Sequence, residues 1–81
     1  MEATEPAVTL DTLKKNESAR IIEVVGTDAA AVRLMEMGVT DGETITMVGT
    51  SPFGDPIEFS IRGYRLSLRK AEAHRVRVER T

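Results

Sequence analysis

The sequence has no cysteine, a single histidine, and aromatic residues at only 4% of its length. The missing cysteine excludes a disulfide framework, a cysteine-ligated zinc finger, an iron–sulfur site and a thiol nucleophile together. It also fits a reducing compartment. The shortage of aromatics argues against single-stranded nucleic acid, which small barrels hold by stacking bases on aromatic rings. Long apolar runs are absent too. The longest is the four-residue stretch Ala29–Val32, whereas a membrane-spanning helix needs about 18–20. The N-terminus, "MEATEPAVTL", has neither a basic start nor an apolar stretch and does not read as a signal peptide. A cytoplasmic protein is expected, reaching a membrane only through a partner.

What is present describes a small globular domain. The chain has 81 residues, 41% hydrophobic and 30% charged, which argues against disorder. A domain of this size buries only ~60–65% of its unfolded surface, so its core is thin. Net charge is −2 but unevenly spread: residues 1–60 hold 11 acids and 4 bases, and residues 61–81 hold 2 acids and 7 bases. A basic C-terminal quarter suggests a surface suited to an acidic partner, unless folding mixes the two halves.

Residues 1–8 read as a flexible tail and 9–81 as one domain. "TLDTLKK" suggests one helical turn, and the β-branched stretch Ala19–Val25 a strand buried on both faces for part of its length. Residues 28–37 predict a helix. Thr27 or Asp28 caps it, Ala30, Leu34 and Met37 line its apolar face beside Val32 and Met35, and Gly38 ends it. Gly42 suits a type II turn, and residues 43–50 follow as a strand. Alternation in "IEFSIRGYRLSLR" flips parity at Gly63. A two-residue turn at Arg62–Gly63 repairs this and pairs Ile61 with Tyr64, Phe59 with Leu66 and Ile57 with Leu68, all facing inward. "KAEA" reads as one helical turn and "HRVRVER" as a closing strand. The expected fold is mostly β: about five short strands and one inserted helix in a small, partly closed barrel that hides its sheet edges.

The candidate sites are few. Gly49 and Gly54 have phosphate-loop spacing, but Asp55 and Pro56 stand where lysine and serine or threonine are required. His74 with Glu72 offers weak divalent metal binding, for instance at a contact between chains, because with one histidine and no cysteine a closed tetrahedral site within one chain would need two or three carboxylates. No nucleophile–base–acid set stands out, so an enzyme is not expected. Arg62, Arg65, Arg69, Lys70, Arg75 and Arg77 could line a basic strip, yet the acidic pI near 5.4 opposes a nucleic-acid role. The stretch "SPFGDPI" reads as a stiff turn, with Pro52 and Gly54 at turn positions. It leaves Phe53 either folded back as a lid on the barrel or standing in water as an anchor.

Arg33, Leu34, Met37, Gly38, Gly42, Pro52, Gly54, Asp55, Pro56, Gly63, Tyr64, Leu68, Arg69, Glu72 and Ala73 occur in an order and spacing that resemble the FeoA family. The resemblance covers about residues 9–79. It departs at Asn16 or Glu17, where the family often has glycine, and at Asp41, where proline is common. It implies an SH3-like barrel and a non-enzymatic role beside FeoB, the transporter that carries Fe(II) inward and has a cytosolic GTPase domain. No cofactor is implied as required, with weak Fe or Zn binding the exception. The expected partner surface, chosen for stiff turns and for charged or apolar side chains without a core duty, is the loop with Phe53 and Asp55, the turn with Arg62, Tyr64 and Arg65, and the helix end at Met37. The alternative is a detached metal-responsive domain related to the C-terminal domain of iron-dependent repressors.

Overall fold

The computed structural model describes residues 7–81. Of the tail expected over residues 1–8, residues 1–6 lie outside the described residues. Val8 is already in the sheet: β1 (Val8–Thr9) pairs antiparallel with β6 (Val76–Arg80). β2 (Ser18–Val24), β3 (Thr44–Thr50), β4 (Ile57–Ile61) and β5 (Tyr64–Leu68) complete one six-stranded antiparallel sheet in the order β1-β6-β2-β3-β4-β5. The sixth strand beyond the five expected is β1.

Bulges bend this sheet into a partly open barrel. One interrupts the β2–β6 register between Ile21 and Glu23, and another the β3–β4 register between Met47 and Gly49. Inside, Leu10, Ile21, Ile45, Phe59, Ile61, Leu68 and Val78 are all buried to 1% exposure or less. Among the described residues no polar or charged residue is buried. Hydrophobic burial therefore carries the stability, at about 1.5–3 kcal/mol per large side chain.

β4 and β5 pair as their alternation requires: Ile57 with Leu68, Phe59 with Leu66, Ile61 with Tyr64. The turn between them has positive φ at both central residues, 52° at Arg62 and 85° at Gly63, the type I′ geometry that matches strand twist. Asn16 also takes a positive φ, 71°. Asparagine tolerates that region, and Asn16 is one of the two positions at which the resembled family often has glycine.

Helix α1 (Ala29–Glu36) begins at Asp28, whose side chain accepts from the Ala31 N–H. It ends in a Schellman motif: Gly38 N–H donates to the Met35 carbonyl, and Val39 N–H to that of Leu34. The helix buries only Ala31 and Leu34. Val32 and Met35, expected on the apolar face, are each 43% exposed. Nor is β2 covered on its outer side, since Ile22 is exposed, as is Val25 just past the strand. A 3-10 turn (Leu10–Thr12) and the short helix α2 (Lys70–Ala73) lie against each other.

Asp28 does two jobs. Besides capping α1 it receives a bidentate pair of hydrogen bonds from the Arg75 guanidinium, Nη2 to Oδ2 at 2.7 Å. Those bonds first, and the Ala31 N–H second, lower its pKa to about 2. A depressed carboxylate stabilises the fold fully above its unfolded value, about 3.9. That contribution fades as pH falls through about 2. Asp28→Asn is therefore expected to melt at a lower temperature at neutral pH. Its deficit relative to the wild type should shrink steadily as melts are repeated from about pH 5 down to about pH 2.

Candidate functional site

The "SPFGDPI" stretch is a tied loop. Gly54 N–H donates to the Ser51 carbonyl (2.9 Å), Ser51 N–H to that of Pro56 (3.1 Å), and Ser51 Oγ to that of Asp55 (2.8 Å). The Asp55 side chain leaves the loop: its Oδ1 accepts from the Lys70 N–H at 2.9 Å, which fastens the loop to the start of α2. The Asp55–Pro56 peptide bond is cis. Phe53 is 95% exposed. It is not a lid, because it covers nothing. A rigid loop holds a large aromatic ring in water.

Asp55, expected at the partner surface, is thus occupied in positioning the loop. Arg62 at the hairpin tip donates to Glu43 Oε2 at 3.2 Å with its side chain 65% exposed. A pair so exposed adds little stability. Arg65 is exposed on β5. Tyr64 corrects the expectation of an inward side chain. It is 42% exposed, and its hydroxyl donates to the Met37 carbonyl at 2.6 Å. Its place at the end of the strand lets the ring pass beyond the barrel to the exit of α1. Met37 is half-buried against the core, and it offers the surface its carbonyl, not its side chain. Among the described residues the exposed methionine is Met35.

Gly38 sits beneath that Tyr64–Met37 bond. Its φ is +96°, and a Cβ there would lie 2.2 Å from the tyrosine hydroxyl. The hairpin and the helix end are joined through a contact that only glycine leaves room for.

His74 and Glu72 are not brought together as metal ligands. Glu72 Oε1 accepts from the Arg69 N–H at 2.8 Å, closing the first turn of α2, and its Oε2 accepts from Arg33 Nη2 at 3.0 Å. Both oxygens are engaged. His74 Nδ1 instead faces the Asp11 carboxylate, 3.2 Å from Oδ2. Among the described residues no group of three or more histidine, cysteine, aspartate or glutamate side chains could hold a metal.

One feature escaped the sequence reading. A groove of about 250 Å³ runs between β2 and the exit of α1, lined by Ile22, Glu23, Val24, Met35, Val39, Thr40 and Asp41. Its signal was the surplus of apolar residues: "IIEVV" is apolar on both strand faces, and α1 carries more apolar side chains than eight residues can bury.

The chain is thus a small SH3-like barrel that carries a fastened loop with an exposed aromatic ring. Its family follows from comparison. The FeoA domain profile matches residues 8–80, and the chain belongs to the FeoA family. It is 37% identical over 70 residues to an Fe(2+) transport protein A/Fe(2+) transporter FeoB fusion protein of Porphyromonas gingivalis. That match takes in 86% of this chain but only 8% of the fusion protein. The fold is similar to that of a FeoA-like protein from Clostridium acetobutylicum, with TM-score 0.87 and 34% identity over 95% of this chain and 90% of that one. It is also similar to Stenotrophomonas maltophilia FeoA, a prokaryotic SH3-domain protein in complex with zinc, with TM-score 0.79 and 38% identity over 90% and 91% of the two chains. A manganese-dependent transcriptional repressor shares the fold alone: its TM-score is 0.86 at 16% identity, over 96% of this chain and 38% of that one.

Proposed function

We propose that this chain is a non-enzymatic cytoplasmic accessory protein of ferrous iron uptake, which binds or regulates a FeoB-type transporter. It docks through the 51–56 loop, the Arg62–Tyr64 turn and the adjoining end of α1. The observation that carries this reading is Phe53, 95% exposed on a loop held by backbone and side-chain hydrogen bonds. Exposed aromatics on rigid supports lose little entropy on binding and are common hot spots. The fusion protein adds support, since covalent linkage raises the effective concentration of two parts that act together. No helix of the described residues is long and apolar enough to cross a membrane.

Among the described residues the donor set does not fit zinc within one chain, because both Glu72 oxygens are engaged and His74 faces Asp11. A metal at His74 would find Asp11 beside it and draw its further ligands from a second molecule. The alternative of a metal-responsive regulatory domain has the shared fold in its favour and nothing more.

The test is a titration of isotope-labelled protein with the purified cognate transporter in detergent, followed by amide NMR shifts with and without Fe(II). Saturable shifts centred on Phe53, Arg62 and Met37–Gly38 are expected. Shifts only at His74 and Asp11, and only with metal, would replace this reading with the metal-responsive one.

A further inference from the structure

β5 ends the sheet: its partner on one side is β4, and on the other side it has none among the described residues. The register fixes which backbone groups face the open side. The Arg62–Gly63 turn closes on Ile61 and Tyr64 as a hydrogen-bonded pair. Antiparallel pairs alternate, so Phe59–Leu66 and Ile57–Leu68 are bonded, whereas Ser60–Arg65 and Glu58–Ser67 are not. The N–H and C=O groups of Arg65 and Ser67 therefore point away from β4. Both residues are exposed, and neither backbone has a hydrogen-bond partner outside the sheet among the described residues.

The charges follow the same edge. Arg62, Arg75, Arg77 and Arg80 all pair with acids. Arg65, Arg69 and Lys70 make no ion pair among the described residues, and all three are exposed on β5 or just beyond it. The basic C-terminal quarter of the sequence thus resolves into two groups: arginines spent on intramolecular pairs, and a short basic strip along an open strand. Phe53 stands at the same end, because Asp55 holds its loop to Lys70.

We infer that the β5 edge is a strand-addition site for an extended acidic segment of a partner protein. The added strand takes the N–H and C=O groups of Arg65 and Ser67. An acid on its outer face pairs with Arg65, and its end passes Arg69, Lys70 and Phe53. Main-chain bonds supply affinity in this mode, and alternate side chains supply specificity. Residues of the partner that lie beside Leu66 and Leu68 face the barrel interior and are apolar, so the segment alternates acid with apolar residue. Glu58, opposite Ser67 on β4, steers the acid toward Arg65 and away from Ser67. A second copy of β5 is a poor occupant, since it would bring a second set of Arg65, Arg69 and Lys70 up to the first with no acid between them. The inference rests on the reading of the chain as a docking module and supplies its mode of contact.

The test uses two ligands: a blocked peptide of about eight residues alternating glutamate and valine, enough to span β5, and the purified cognate transporter in detergent. Hydrogen exchange at the Arg65 and Ser67 amides is the readout. Both amides should slow on binding of either ligand. Ser67→Pro removes an outward N–H that the fold does not use, as edge strands tolerate. It should keep the melting temperature within a few degrees and weaken binding about tenfold or more. Arg65→Glu, a surface change, provides the same loss if the proline variant fails to fold. A peptide with lysine in place of glutamate should not bind. Peptide binding that leaves amides 65 and 67 in fast exchange overturns the inference. A transporter that binds Ser67→Pro and Arg65→Glu as well as wild type also overturns it, while leaving the docking reading intact. A transporter that fails to bind the wild-type chain removes the docking reading, and the peptide result then decides strand addition alone.

Discussion

Phe59→Ala should bring the domain close to unfolding, whereas Phe53→Ala should leave its melting temperature almost unchanged. The two phenylalanines are six residues apart in sequence and opposite in circumstance: one is 0% and the other 95% exposed. Phe59 sits mid-strand on β4, between Met47 of β3 and Leu66 of β5, and points into the thin core. Truncating a buried phenylalanine costs about 3–5 kcal/mol through lost transfer free energy and the cavity left behind. A domain of 81 residues is stable by only ~4–12 kcal/mol. The melting temperature should therefore fall by roughly 15–30 °C. Phe53 touches nothing that its removal would unpack, and its truncation should stay within about 0.5 kcal/mol. Paired thermal melts of the two variants check both statements. A large loss of stability in Phe53→Ala would show that the loop folds back on the barrel after all.

The next largest effect is expected at Gly38. Its φ of +96° is strained for any residue with a Cβ, and that Cβ would meet the Tyr64 hydroxyl at 2.2 Å. The tyrosine must swing away and give up its bond to the Met37 carbonyl. Left-handed strain of about 1–2 kcal/mol and one lost hydrogen bond of about 1 kcal/mol add to about 2–3 kcal/mol for Gly38→Ala. Tyr64→Phe alone should cost about 1 kcal/mol. The double variant is the sharper check. Removing the hydroxyl relieves the clash, since the ring carbon that carries it is 3.5 Å from the added Cβ. Gly38→Ala with Tyr64→Phe should then be more stable than the two single losses summed, by about 0.5–1 kcal/mol in denaturant melts. Strict additivity would mean that backbone strain is the whole penalty and that the tyrosine contact is incidental.

The readable parts of the sequence were those where period and punctuation agree. In β4 and β5 a strict alternation is interrupted by a parity flip at a glycine, so the turn and three residue pairs follow with no freedom left in the register. The α1 helix is bracketed by a capping aspartate and a glycine, and its bounds move by only a residue at each end. β1 has two residues, too few to show any period. It exists because Val8 and Thr9 meet β6, which no local pattern announces. Tyr64 shows the limit of parity. Alternation names the sheet face of a side chain, but at a strand end the face runs out, and the ring reaches a helix carbonyl instead. Phe53 shows another limit. Two prolines and a glycine stiffen its loop, but whether a stiff loop points inward or outward depends on the tether from Asp55 to α2. Glu72 lies two residues before His74 in sequence, a spacing that suggests no more than a weak metal pair. In space its carboxylate completes a helix start and pairs with Arg33.

We propose that Phe53 is displayed for a transporter. This is tested most directly by measuring the affinity of wild-type and Phe53→Ala protein for the purified cognate FeoB-type transporter, with melting temperatures taken on the same samples. Equal melting temperatures are expected, with an affinity lower by about 30-fold or more, the loss of a hot-spot aromatic worth about 2 kcal/mol. Equal affinities at equal stability would contradict it.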